Sequence, residues 1–88
     1  MKLHILKIRP CYFYYVHEGF KNFEIRKDDR GYEVGDLIHF VNVSGEDYTY
    51  ATNNVFQITY ILRDALEFGL NKDYCILSLK KLGDNINE

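Results

Sequence analysis

The sequence predicts an α+β domain built around a strongly curved or closed sheet, mixed or antiparallel, with one helix after the first strand. Three observations carry this expectation. The 88 residues fit one domain and no more. A β-rich opening segment stops at Pro10, and an aromatic run closed by Gly19 follows it. After that come only short alternating segments separated by turn-forming residues. An apolar fraction of 47% with 27% charged residues belongs to an ordinary globular chain, which argues against disorder, collagen and coiled coil together.

Leu3, Ile5 and Ile8 place the first strand over residues 2–8. Proline suits the first turn of a helix, so a helix is expected over 10–19, with Cys11-Tyr12-Phe13-Tyr14-Tyr15-Val16 inside it. Four consecutive aromatics cannot share one helix face, so some stay accessible or pack on a second surface. They read either as tyrosine hydroxyls at the rim of an open barrel end or as a base-stacking platform. Phe23-Glu24-Ile25-Arg26 alternates as a strand, with Phe23 and Ile25 expected on the core face and Glu24 and Arg26 on the other. Same-face neighbours lie about 6.6 Å apart along a strand, close enough for long opposite charges to meet or to converge on one ligand.

Asp28-Asp29-Arg30-Gly31 and Val34-Gly35-Asp36 are turns by composition. Residues 37–43 form a strand apolar on both faces, which suits a small barrel with a helix packed outside it. Residues 44–47 read as a loop and Tyr48-Thr49-Tyr50 as a short strand. Residues 55–62 form a half-buried strand with Phe56, Ile58, Tyr60 and Leu62 on one face. One helical turn is expected near 65–68, and the last strand, 74–81, turns Cys75, Leu77 and Leu79 to one side. Residues 83–88 should fray, which leaves a single domain over 1–88 with its core at about 3–81.

The formal net charge of −2 hides an asymmetry. Residues 1–30 carry seven basic against four acidic side chains, and residues 31–88 carry four against nine. A pI near 5.9 argues against extended duplex DNA as a partner, because phosphate-driven duplex binding needs a strongly basic surface. A local cationic pocket for one or a few phosphates, a nucleobase or another small anion is compatible with it; so is a solvated surface of mixed sign.

The two cysteines, Cys11 and Cys75, form no C-x-x-C pair and have no histidine at ligand spacing, so neither a metal nor a cofactor is expected. Cys11 reads as a small hydrophobe. His4, His17 and His39 form no cluster and read as structural or solvated. His4, Lys7 and Arg9 interrupt the opening segment before any signal-peptide core forms, and no apolar stretch approaches the ~20 residues that span a bilayer. The expectation is a cytoplasmic protein with free thiols and no membrane partner.

At Gly19-Phe20-Lys21-Asn22-Phe23-Glu24-Ile25-Arg26 the spacing G-x-K-x-x-E-x-R runs from a helix end into a strand. It resembles the signature of the ASCH domains, a family of the PUA-like superfamily. The helix after Pro10, the turn Val34-Gly35-Asp36 with Leu37-Ile38-His39-Phe40, and the closing Asp73-Tyr74-Cys75-Ile76-Leu77-Ser78-Leu79 agree with it. Together with Glu24-Ile25-Arg26-Lys27-Asp28-Asp29-Arg30 they look most like a small bacterial and phage branch of unestablished function.

The resemblance implies a PUA-like β-barrel whose cleft, lined at Lys21, Glu24 and Arg26, binds RNA or a nucleotide. Lys27 and Arg30 would steer the ligand from the periphery, and Tyr48, Tyr50 and Thr52 would line the cleft. Some small members are amidohydrolases that deacylate an acetylated cytidine with a lysine, a threonine and a glutamate. Lys21 matches that lysine, but Glu24 stands where the hydrolase has its threonine. In an enzyme, Lys21 and Glu24 would be the catalytic pair. In the competing structural reading, Glu24 and Arg26 form an ion pair closing the barrel rim. A third reading is a phage or mobile-element accessory protein that grips another protein through exposed tyrosines.

Overall fold

The computed structural model describes the backbone of residues 1–44, 47–50 and 55–82 and the side chains of 1–43 and 55–82. Residues 45–46, the side chains of Tyr48 and Tyr50, Thr52 and the tail 83–88 lie outside the described residues. The elements run β1 (Leu3–Ile8), α1 (Pro10–His17), β2 (Phe23–Lys27), β3 (Leu37–Ser44), β4 (Asp47–Tyr50), β5 (Phe56–Leu62), one 3-10 turn (Leu66–Phe68) and β6 (Tyr74–Lys81). This is the expected α+β order.

Pro10 opens α1 at a position where its missing N–H costs nothing. The helix ends two residues before the expected Gly19. Glu18 caps it, donating its N–H to Tyr14 C=O at 3.0 Å, and Gly19 then takes a φ of +85°, the left-handed conformation that lets the chain leave the helix. Phe13 and Val16 are buried, whereas Tyr12, Tyr14 and Tyr15 are exposed. Cys11 is exposed too, because it falls on the outer side of a short helix that buries only one stripe. Phe13 meets Phe40 at 6.1 Å, and Phe40 meets Phe56 at 5.5 Å, both edge-on, which seats α1 on the sheet.

The strands follow the order β1-β3-β5-β6-β2, with β4 added to β3. β1 runs parallel to β3 and every other pair is antiparallel, so the sheet is mixed. β1 and β2 are the two ends of this path, yet Arg26 on β2 donates from Nη2 to Lys7 C=O on β1 at 2.7 Å. Strands at opposite ends can meet only if the sheet curls, and it forms a half-barrel. Inside lie Leu6, Ile8, Ile38, Phe40, Phe56, Ile58, Cys75, Leu77 and Leu79.

The sheet departs from simple alternation at two places. A register shift between Ile58 and Tyr60 on β5 reverses the side-chain alternation, so Tyr60, expected in the core, is 59% exposed and Ile61 packs against the core instead. On β2 the expected faces are exchanged: Phe23 and Ile25 are 43% and 52% exposed, and Glu24 is only 5% exposed. Pairing explains this. Glu24 lies opposite Leu77 and Arg26 opposite Cys75, and directly opposed residues in an antiparallel pair share a face. Cys75 and Leu77 face inward, so Glu24 and Arg26 do as well.

Asp36 anchors the opening of the barrel. Its carboxylate accepts Lys2 N–H at 3.0 Å on Oδ1, and the His4 ring at 2.8 Å and Glu33 N–H at 3.0 Å on Oδ2. Burial alone would raise its pKa, but these donors outweigh that and hold the carboxyl at about 2. Asp36 N–H donates to Glu33 C=O, and its C=O accepts Ile58 N–H at 2.9 Å. One residue therefore ties β1, β3 and β5. Among the described residues no helix is long and apolar enough to cross a membrane.

Candidate functional site between the sheet edges

A cleft of about 560 Å³ opens where the two ends of the sheet face each other. β1 and its exit contribute Lys7, Ile8 and Arg9, α1 contributes Tyr12, the loop after it Lys21, β2 contributes Phe23 to Lys27, and β6 contributes Tyr74. Five of these side chains are cationic and one, Glu24, is acidic. In a chain of net charge −2 this concentrates positive potential in one concavity, at the expected end of the sequence.

Glu24 organises the cleft. Its Oε1 accepts Lys21 Nζ, and its Oε2 accepts Arg26 Nε at 3.0 Å. A buried carboxylate is costly unless its lone pairs are used, and here two cations, each less than a quarter exposed, use them. Lys21 sits where it does because its N–H and that of Phe20 both donate to Tyr15 C=O at 2.9 Å, folding the loop back onto the helix end. Its ammonium also lies over two rings, 5.1 Å from the centroid of Phe23 and 5.8 Å from that of Tyr12. The three residues anticipated from sequence therefore converge.

Arg26 and Arg30 also cross the seam. Arg26 Nη2 donates to Lys7 C=O, and Arg30 Nη1 donates to Ile5 C=O at 3.3 Å. Arg30 is exposed and stands outside the lining of the cleft, where its hydrogen bond ties the turn after β2 to β1. Lys27 lines the cleft, and its side chain makes no hydrogen bond or ion pair among the described residues. Asp28 serves more than its turn: its carboxylate takes the Arg63 guanidinium on both oxygens, which holds its pKa below the usual range, and Arg63 also donates to Tyr32 C=O at 2.9 Å. Tyr48 and Tyr50 lie on β4, paired to Val43 and Val41, with side chains outside the described residues.

Lys7, Arg9, Tyr12 and Tyr74 are site residues that the sequence reading passed over. Tyr12 stood within the aromatic run, but nothing local marked it as a ring beside Lys21. Tyr74 enters only through its pairing opposite Lys27, a contact 47 residues apart in the chain. Lys7 and Arg9 counted toward the positive first third without being placed in a site.

No curated protein matches the chain. A family model described as a domain of unknown function, DUF3850, matches residues 3–79, which takes in every described element but the last residues of β6. The chain belongs to that family.

Proposed function

We propose that this chain is a PUA-like module of the ASCH kind that binds single-stranded RNA or a nucleotide in the cleft between β1 and β2. The observation that carries the reading is the clustering of Lys7, Arg9, Lys21, Arg26 and Lys27 with the rings of Tyr12, Phe23 and Tyr74 in one concavity of an otherwise acidic chain. Cations beside aromatic rings are the combination by which proteins hold phosphates while unpaired bases stack. The G-x-K-x-x-E-x-R run supports it as well, since its Lys, Glu and Arg all line this cleft. Lys21 Nζ donates to the Glu24 carboxylate, which ties the lysine into the wall of the cleft.

Within this reading the roles divide. Lys21 and Arg26 are largely committed to Glu24, so they shape the cleft and supply their remaining donors. The Arg9 and Lys27 side chains make no hydrogen bond or ion pair among the described residues and supply the electrostatic attraction. Titration of short single-stranded RNAs at several salt concentrations tests this. Each of Arg9→Ala and Lys27→Ala should weaken binding uniformly across sequences and flatten the dependence of log K on log salt by about 0.7. Unchanged affinity and slope in both variants would remove the site.

A further inference from the structure

The register of β2 determines where its backbone groups point. Leu79 N–H donates to Asn22 C=O and Asp28 N–H donates to Asp73 C=O, so residues 22, 24, 26 and 28 turn their backbone toward β6. Phe23, Ile25 and Lys27 then turn theirs the other way, toward the cleft they line. Lys27 C=O accepts Asp29 N–H at 3.0 Å, but the groups of Phe23 and Ile25 have no hydrogen bond among the described residues. Along a strand the C=O of one residue and the N–H of the residue two further on lie side by side on the same edge. Phe23 C=O and Ile25 N–H therefore present an adjacent acceptor and donor beside the cationic cleft.

The geometry points to a nucleobase as the group this edge reads, with Phe23 C=O accepting from the base and Ile25 N–H donating to it. This rests on the nucleotide-binding reading above and adds the part of the ligand that reading leaves open. Unpaired bases carry neighbouring donors and acceptors on their pairing edge, and proteins recognise them there. A cleft of about 560 Å³ is of the size that holds one small ligand and not a folded partner. An inserted polypeptide strand fits less well, because it needs a run of unoccupied groups on the edges it joins. On β1, Ile5 C=O and Lys7 C=O are already taken by Arg30 and Arg26, and on β2 Lys27 C=O is taken by Asp29 N–H, so the open groups end at Lys27 N–H. One acceptor and one donor suffice for a base.

Proline at position 25 makes a selective test. Ile25 N–H faces away from β6, so its removal breaks no ladder bond, and proline is tolerated at such sites on edge strands. Ile25→Ala keeps the N–H and controls for the exposed side chain. The full chain and both variants are titrated calorimetrically with uridine 5′-monophosphate, its 3-methyl derivative, which lacks the ring N–H, and ribose 5-phosphate. Two hydrogen bonds of ordinary net strength amount to about a tenfold gain in affinity. Wild type and Ile25→Ala should bind the uridine nucleotide about tenfold more tightly than ribose 5-phosphate, and Ile25→Pro should erase that ratio while leaving ribose 5-phosphate binding unchanged. The methylated nucleotide should lose most of the advantage on the unmodified chain, which keeps the test valid even if the proline variant fails to fold. Equal affinity for all three ligands in the wild type, or a base advantage that survives both Ile25→Pro and methylation, would overturn the proposal and leave the cationic cleft standing. Absence of binding to any of them would overturn the nucleotide reading, and this one with it. An acidic peptide that displaces the nucleotide and loses affinity in Ile25→Pro would assign the edge to a polypeptide and overturn the base assignment.

Discussion

Replacing Asp36 with asparagine should make the domain less stable at neutral pH and less sensitive to acid. The carboxylate is 1% exposed and receives the Lys2 and Glu33 amides and the His4 ring. Its pKa falls from 3.8 to about 2 on folding, which corresponds to about 2 kcal/mol at neutral pH. In so small a domain solvent lies close behind the first layer of atoms, and screening trims that to on the order of 1–2 kcal/mol. The folded value lies below the unfolded one, so as pH falls the unfolded chain takes up the proton first. The contribution is therefore complete above the unfolded value of 3.8, declines below it, and is gone once pH drops past about 2. Asp36→Asn keeps one acceptor oxygen but leaves a buried donor unmatched, a loss of about 1–3 kcal/mol at pH 7. Urea unfolding of both proteins between pH 7 and pH 2 measures the difference directly. Asp28, held low by Arg63, adds acid sensitivity of the same sign to both proteins and cancels in the comparison. A gap between wild type and Asp36→Asn that stays constant across this range would refute the assignment of the carboxylate.

Glu24→Ala should cost about 2–3 kcal/mol, somewhat less than a fully buried pair, because Lys21 and Arg26 keep some exposure after losing their partner. Adding Lys21→Met to Glu24→Leu should recover part of that loss; thermal melts showing the double variant no more stable than the single alanine variant would contradict the pairing. Thiol labelling of the folded protein should be fast at Cys11 and slow at Cys75, since Cys11 is exposed while burial both hides Cys75 and pushes its thiol pKa up. A Cys11→Ser variant should therefore show no fast phase.

Signals that act within a few residues were readable from sequence. Pro10 and Gly19 bracket a helix through backbone constraints, and the last strand announces itself because Cys75, Leu77 and Leu79 alternate without interruption. The common face of Glu24 and Arg26 follows from the period of a strand, and Lys21 entered through the spacing of the G-x-K-x-x-E-x-R run. Which face turned inward was not. Alternation is symmetric, and preferring Phe23 and Ile25 for the core assumes that polar side chains cost too much inside. That assumption fails where Lys21, Glu24 and Arg26 satisfy one another. The bulge on β5 was hidden for a related reason: one inserted residue reverses the faces without altering composition. Asp36 reads as a turn residue because, of its three donors, only Glu33 is local, and Lys2 and His4 come from the start of the chain.

The way the seam is closed links the fold to the site. A sheet can be completed into a barrel by a backbone ladder between its first and last strands, which would occupy every edge group of β1 and β2. Here arginine side chains make the join, Arg26 to Lys7 C=O and Arg30 to Ile5 C=O. Holding a long side chain in one rotamer costs up to about 2 kcal/mol of entropy, so such a join is weaker per bond than a ladder. What it leaves is space: guanidinium groups bridge a gap too wide for a ladder, the gap becomes the cleft, and the edge of β2 at Phe23 and Ile25 keeps its hydrogen-bonding groups. Inverting β2 so that Glu24 and Arg26 face inward is what makes this possible. Had Phe23 and Ile25 turned to the core as their hydrophobicity suggests, Arg26 would have pointed to the outer surface, and neither the bridge to β1 nor the buried carboxylate that gathers the cations would form.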